Sequence, residues 1–170
     1  MPQLQYLDDT VIYARLLAYH NTKLREVLDK LQTHKLKLQP DNCEFLRKEV
    51  NYLGHQITEA GVRPDPQKVV AIEQFPTPTT AKQLKMFCGM ISYYRRFTPN
   101  CSQIASPLYK PLKKDAKFVW TETQENAFQH LKSKLINCPI LQYPDFLKEF
   151  ILTTEASNSG LGALLSQGPV

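Results

Sequence analysis

A chain of 170 residues with 42% hydrophobic and 22% charged residues has the composition of a globular protein, which excludes an intrinsically disordered chain and suggests about one domain or parts of two. No apolar run is long enough to span a bilayer and the N-terminus lacks the pattern of a signal peptide, so the expectation is an intracellular protein of cytoplasm or nucleus, neither secreted nor membrane-bound. The net charge of +5 is compatible with a polyanionic partner. The scattered Cys43, Cys88, Cys101 and Cys138 form no Cys-x-x-Cys pair, which argues against zinc and for reduced thiols.

In chain order, "QYLDDTVIY" (Gln5 to Tyr13) reads as strand, acidic turn, strand. A helix follows from about Leu16 to His34, with Leu17, Leu24, Val27, Leu28 and Leu31 on one face and Lys23, Arg25, Glu26, Asp29 and Lys30 on the other. Leu36 and Leu38 alternate with lysines, and Cys43 and Phe45 flank Glu44. Both are strand patterns, separated by the turn-like Gln39–Asn42. "VNYLGHQIT" predicts a further strand, with Gly54 inside it marking a bulge or a close backbone approach.

From Pro64 the pattern turns helical. Asp65 and Pro66 predict one helix start, and Thr79 is expected to cap the next helix. In that next helix Leu84, Phe87, Cys88 and Ile91 supply a buried stripe. Pro107 and Pro111 are expected to break a short helix, and Thr121 with Gln124 predicts a capping box. The C-terminal "EFILTTEASNSGLGALLSQ" reads as a strand, a Ser/Asn/Gly turn and a strand. The fold class is therefore α+β.

Two features carry chemistry. Asp8 and Asp9 stand together where neighbouring carboxylates repel. They form either an ordinary Asp-Asp turn or a pair of oxygen ligands for divalent ions, which a two-metal phosphoryl transfer requires. Lys85, Gly89 and Tyr93, spaced by four, share one helical face. Mid-helix glycine costs about 1 kcal/mol relative to alanine, a cost tolerated where another helix packs or a ligand comes close. Between Thr79 and Lys117 lie Lys82, Lys85, Arg95, Arg96, Lys110, Lys113, Lys114 and Lys117 against a single acid, Asp115, with Tyr93, Tyr94 and Phe97 interleaved. Such a segment suits phosphate neutralisation.

"YLDD" with its following strand, helix and "LKLQPDNCEFLRKEVNYLGHQIT" resembles the palm of a reverse transcriptase. "GVRPDPQKVVAIEQFPTPTTAKQLKMFCGMISYYRRFTPNCSQIASPL", "FVWTETQENAFQHLKSKL", "PILQYPDF" and "FILTTEASNSGLGALLSQ" resemble the polymerase of gypsy-type LTR retrotransposons, so the resemblance runs from about Tyr6 to Gln167.

That resemblance implies an incomplete right-hand polymerase: a partial palm at 1–62, a helical thumb at 63–117, a connection at 118–146 and the first hairpin of an RNase H-like domain at 147–170. It implies Asp8 and Asp9 as catalytic metal ligands, with Tyr6 and Leu7 beside the primer terminus and template. Leu53, Gly54 and His55 would position the primer end, although His55 also reads as a polar residue on a strand surface. Lys85, Gly89 and Tyr93 would track the minor groove of a template–primer duplex of RNA or DNA. Glu155 stands where the family's RNase H has a metal-binding aspartate. Magnesium, with manganese as a substitute, and deoxynucleoside triphosphates are the implied cofactor and substrates, and the rest of a Pol polyprotein is the implied partner. The third palm carboxylate and the fingers lie upstream of this motif in the family. The expectation is therefore a fragment of an RNA-directed DNA polymerase, inactive alone. The alternative is a non-catalytic nucleic-acid-binding remnant.

Overall fold

The computed structural model describes residues 3–114, 116–157 and 160–168. The chain divides into two units, Met1–Glu59 and Ala60–Val170.

The first unit opens with β1 (Gln3–Tyr6) and β2 (Asp9–Ile12), antiparallel, with Tyr6 opposite Asp9 and Leu4 opposite Val11. This register leaves a loop of two residues, Leu7 and Asp8. Helix α1 (Leu17–Thr33) follows, close to its expected bounds. Lys35, at φ 56°, closes it, and the Leu36 N–H returns to the Leu31 carbonyl at 2.9 Å. This is the Schellman arrangement, which satisfies a carbonyl the helix leaves without a donor. The expected apolar stripe is only partly covered: Leu24, Val27 and Leu31 are half-buried, whereas Leu17 and Leu28 are exposed.

The two strands expected over Leu36–Leu38 and Cys43–Phe45 do not form. A strand exists only through its ladder of hydrogen bonds. Here Lys35 is spent on ending α1, a 3₁₀ turn occupies Pro40–Asn42, and Leu36, Leu38 and Phe45 stay exposed. The single strand expected over "VNYLGHQIT" is instead a hairpin of β3 (Val50–Tyr52) and β4 (His55–Thr58), with Tyr52 opposite His55. Gly54 is therefore a loop residue, not a bulge within a strand.

In the second unit, β5 (Gly61–Pro64) exchanges two hydrogen bonds between Val62 and Leu141, at 2.8 and 2.9 Å. Gly61 is required there: a Cβ would lie 2.2 Å from the Leu141 carbonyl oxygen. Helix α2 (Pro66–Glu73) starts as its sequence predicts, with the Gln67 N–H donating to the Asp65 carboxylate at 2.8 Å. Helix α3 (Ala81–Tyr93) is capped by Thr80, one residue later than expected. The Gln83 side chain reaches back to accept from the Thr79 N–H and hydroxyl at 2.8 and 2.9 Å, which occupies Thr79 and leaves the cap to its neighbour.

Helix α4 (Cys101–Tyr109) runs through Pro107 and gives way to a 3₁₀ turn at Lys110–Leu112. Pro111 lacks the N–H that would reach the Pro107 carbonyl. The Lys110 N–H and the buried Gln124 amide, at 3.2 Å, donate there instead. Helix α5 (Glu122–Ile136) carries the expected Thr121–Gln124 capping box.

Ile72, Leu84, Phe87, Phe97, Leu108, Phe128, Leu131 and Leu135 form the centre of the core, with the Phe87 and Phe128 rings 4.5 Å apart. Each such side chain contributes roughly 1.5–3 kcal/mol by leaving water. The second unit ends in the expected hairpin, β6 (Ile151–Ser157) and β7 (Gly160–Ser166), with Ile151 opposite Ser166. The expected turn residues Asn158 and Ser159 lie outside the described residues. Gln167 ties this end to the preceding loop, accepting from the Asp145 N–H at 2.8 Å and donating to its carbonyl at 2.7 Å.

Candidate nucleic-acid interface and acidic turn

The β1–β2 register separates the two acids by role. Asp8 is the second loop residue, while Asp9 begins β2 opposite Tyr6. Directly opposed residues share a face, so Tyr6 and Asp9 are cross-strand neighbours. Tyr6, Asp8 and Asp9 are exposed, and Leu7 is 79% exposed at φ 53°. A non-glycine residue in the left-handed region costs roughly 1–2 kcal/mol. Burial of its side chain does not offset that cost here. Two exposed, adjacent carboxylates suit a hard cation that takes oxygen ligands. Among the described residues no group of three or more His, Cys, Asp or Glu side chains is placed to hold a metal. Glu155 pairs through its backbone with Gly162, and its side chain lies outside the described residues.

The second hairpin also turns on a two-residue loop that opens with a left-handed leucine, but its second loop residue is left-handed too, unlike Asp8. Leu53 and Gly54, at φ 48° and 68°, form its two-residue loop. Positive φ at both positions is the pattern of a type I′ turn, which glycine fits and leucine does not. Leu53 is 36% exposed. His55 is buried rather than on the strand surface, with its Nδ1 2.7 Å from the Leu53 carbonyl oxygen.

Helix α3 separates two faces. Leu84, Phe87, Cys88 and Ile91 are buried, as the periodicity predicts, while Lys85, Gly89 and Tyr93 are exposed. A Cβ built at Gly89 would meet nothing within 4 Å, so no packing among the described residues calls for a glycine. Lys82 and Met86 extend the same exposed row. Met86 escaped the sequence reading because an isolated methionine in a helix ordinarily signals core, although its spacing to Gly89 and Tyr93 was legible. Of the three interleaved aromatics, only Tyr93 is exposed. Tyr94 and Phe97 belong to the core, and burial pushes the Tyr94 hydroxyl up to about 12. Lys82, Lys85, Arg95, Arg96, Lys110, Lys113, Lys114 and Lys117 all reach solvent. Asp115 lies outside the described residues. The depression between α3 and α4, lined by Ser92, Arg95, Ser102 and Tyr109 among others, holds about 80 Å³. That is well below the roughly 300 Å³ at which ligand pockets begin, so α3 offers a surface, not a pocket.

Burial also pushes the Cys88 thiol up to about 11 and raises those of Cys101 and Cys138. All four cysteines are free. No helix among the described residues is long and apolar enough to cross a membrane.

Residues 2–57 match the family model for reverse transcriptase (RNA-dependent DNA polymerase), and residues 120–169 match that for the RNase H-like domain found in reverse transcriptase. Both descriptions point to one class, the reverse transcriptases. The retrovirus-related Pol polyprotein from transposon 297 of Drosophila melanogaster is 48% identical over 168 residues, covering 96% of this chain and 16% of that protein. That from transposon 412 of the same organism is 40% identical over 162 residues, covering 95% of this chain and 13% of the relative. The transposon Tf2-3 polyprotein of Schizosaccharomyces pombe is 36% identical over 162 residues, covering 95% of this chain and 12% of the relative.

Among solved structures, the foamy viral protease-reverse transcriptase dRH in complex with double-stranded DNA superposes with a TM-score of 0.83 at 25% identity, covering 91% of this chain and 28% of that one. The foamy viral enzyme in complex with an RNA/DNA hybrid superposes with a TM-score of 0.81 at 22% identity, covering 97% and 25%. The chain is similar over nearly all of its length to retrotransposon Pol polyproteins, and two of its segments match reverse transcriptase models; it spans about 16% of the length of the transposon 297 relative. The fold is that of partial palm, thumb and RNase H-like segments. No observation favours a non-catalytic remnant.

Proposed function

We propose that this chain supplies the acidic turn, the primer-facing turn and the duplex-facing helix of an RNA-directed DNA polymerase within a gypsy-type Pol polyprotein. The observation that carries this reading is Gly89: an exposed mid-helix glycine with nothing within 4 Å of its missing Cβ, set between exposed Lys85 and Tyr93. Its cost to the helix has no return among the described residues, which supports a return from what approaches from outside. A template–primer duplex of RNA or DNA fits, because the surrounding segment is rich in exposed lysine and arginine. In this reading 1–62 is partial palm, 63–117 thumb, 118–146 connection and 147–170 the start of the RNase H-like domain.

Asp8 and Asp9 would hold the divalent ions, magnesium or in its place manganese, and Glu155 would serve the RNase H site. Ions held there would supply activation of an attacking hydroxyl and charge stabilisation of the leaving phosphate of a deoxynucleoside triphosphate. Tyr6 and Leu7 would lie against the primer end and template. The Leu53–Gly54 turn would meet the primer strand, and Lys85 would neutralise phosphate.

The test is duplex binding as a function of salt. Affinity should fall steeply as salt rises, and Lys85→Ala should lower the salt slope by about one unit. Tyr93→Ala should cost about 1 kcal/mol by analogy with base–aromatic contacts. Lys30→Ala, on the exposed side of α1, should behave as the parent. Equal slopes for Lys85→Ala and the parent would remove α3 from the interface.

A further inference from the structure

We propose that His55 is a positioning residue which clamps the Leu53–Gly54 turn from inside the fold and does not itself meet nucleic acid. The functional consequence rests on the reading of that turn as a primer-strand contact. The structural part stands independently of it.

Four observations converge. His55 Nδ1 lies 2.7 Å from the Leu53 carbonyl oxygen. A carbonyl can only accept, so Nδ1 carries the proton and donates, and the tautomer follows from the bond. The residue is 8% exposed, which leaves little ring to offer a polynucleotide and shields the hydrogen bond from competing water. Leu53 holds φ 48°, a conformation that glycine, asparagine or aspartate adopts readily and leucine does not. The loop is only two residues long, and His55, opposite Tyr52, is the first residue after it.

A strained residue persists only where its surroundings over-determine it. Within this hairpin the His55 imidazole engages the strained residue's own carbonyl. The arrangement keeps the half-exposed Leu53 side chain in one place with no extra residue in the loop. A more permissive loop sequence would form the same turn without setting a leucine at its tip. His55 therefore compensates for a leucine placed where turn chemistry disfavours it.

The experiment uses the full 170-residue chain with ¹⁵N,¹³C-labelled histidine. Imidazole shifts are read above the pH at which the ring is charged, with His55 assigned by its loss in a substituted chain. The proposal expects His55 in the Nδ1–H form. The Nε2–H form would overturn it. Two substitutions then test the clamp. His55→Asn puts an amide N–H near the place of Nδ1 and should keep the left-handed coupling constant of Leu53. His55→Leu keeps an apolar side chain without a donor and should lose that coupling. An unchanged turn in His55→Leu would also overturn the proposal. Duplex affinity should follow the turn, retained in His55→Asn and reduced about threefold to tenfold in His55→Leu, the range of one hydrogen bond. If tautomer and turn behave as expected while affinity stays constant in both variants, the clamp is supported and it is the primer-strand reading of the turn that fails.

Discussion

Leu7 and Leu53 occupy the same position in two different hairpins. Each is the first of two loop residues, and each holds a left-handed φ, 53° and 48°. Neither loop opens with the glycine, asparagine or aspartate that a left-handed first position favours. The two differ in support. Leu53 has the buried His55 imidazole on its carbonyl, whereas Leu7 is 79% exposed on a two-stranded sheet. Strain at the tip of both turns is readily understood if each tip must present an apolar side chain outward.

The first prediction follows from that difference. A lone two-stranded hairpin is marginal in water, so amides from Tyr6 to Tyr13 should exchange fast and those from Leu84 to Tyr94 slowly. Leu7→Asn should slow exchange in the hairpin by relieving roughly 1 kcal/mol of left-handed strain. Equal protection of the hairpin and α3 in the parent would show that the acidic turn is held by more than its own two strands.

Gly61 and Gly89 should respond to alanine with opposite sign. At Gly61 the added Cβ would sit 2.2 Å from the Leu141 oxygen and 2.9 Å from its carbon, at φ 142°. Strand β5 would have to move and release its hydrogen bonds to Leu141. Gly61→Ala should therefore destabilise the second unit by about 2–4 kcal/mol. Gly89→Ala meets open space in a helix and should stabilise by about 0.5–1 kcal/mol. Denaturant midpoints of the two variants against the parent decide the matter, and a shift of the same sign in both would contradict the structure.

Alkaline pH should weaken the second unit. Burial raises Cys88 from an ordinary 9.0 to about 11 and Tyr94 from 10.0 to about 12. Both groups are neutral when protonated, so the folded state keeps protons that the unfolded chain gives up first. Stability should hold below pH 9 and fall between about 9 and 11, where the unfolded Cys88 thiol is ionised and the folded one is not, with Tyr94 adding its loss above pH 10. Across that window the Cys88 contribution is about 3 kcal/mol. Denaturant midpoints at pH 7, 9 and 10.5 measure this, and Cys88→Ala should flatten the first part of the fall. A level profile to pH 11 would mean that Cys88 is not buried as described.

Local features were legible where one element carried its own signal. The two faces of α3 follow from a 3.6-residue period, and the Asp65 cap and the Thr121–Gln124 box follow from short-range chemistry. Features that depend on a partner were not. Leu36 and Leu38 alternate as in a strand but find no ladder, because Lys35 serves as the left-handed end of α1. Gly54 reads as a glycine inside a strand until the Tyr52–His55 pairing makes it a loop. "SYYRRF" places aromatics among bases, yet neighbouring helical residues point about 100° apart. They cannot all share one face, and Tyr94 and Phe97 go to the core. Burial of His55 has no signature in sequence at all.

The central claim is that the Lys85–Gly89–Tyr93 face meets a duplex, and it is tested most directly at Gly89. Leucine is a better helix former than glycine, and the position is open, so Gly89→Leu should keep or raise helix content. It should also set a branched side chain between Lys85 and Tyr93, where the sugar–phosphate edge would approach. The measurement is the dissociation constant for an RNA/DNA hybrid at low salt, alongside circular dichroism of the same samples. The account predicts intact helix content with affinity reduced about tenfold, the size of one to two lost contacts. Parent-like affinity in a folded Gly89→Leu chain would contradict it.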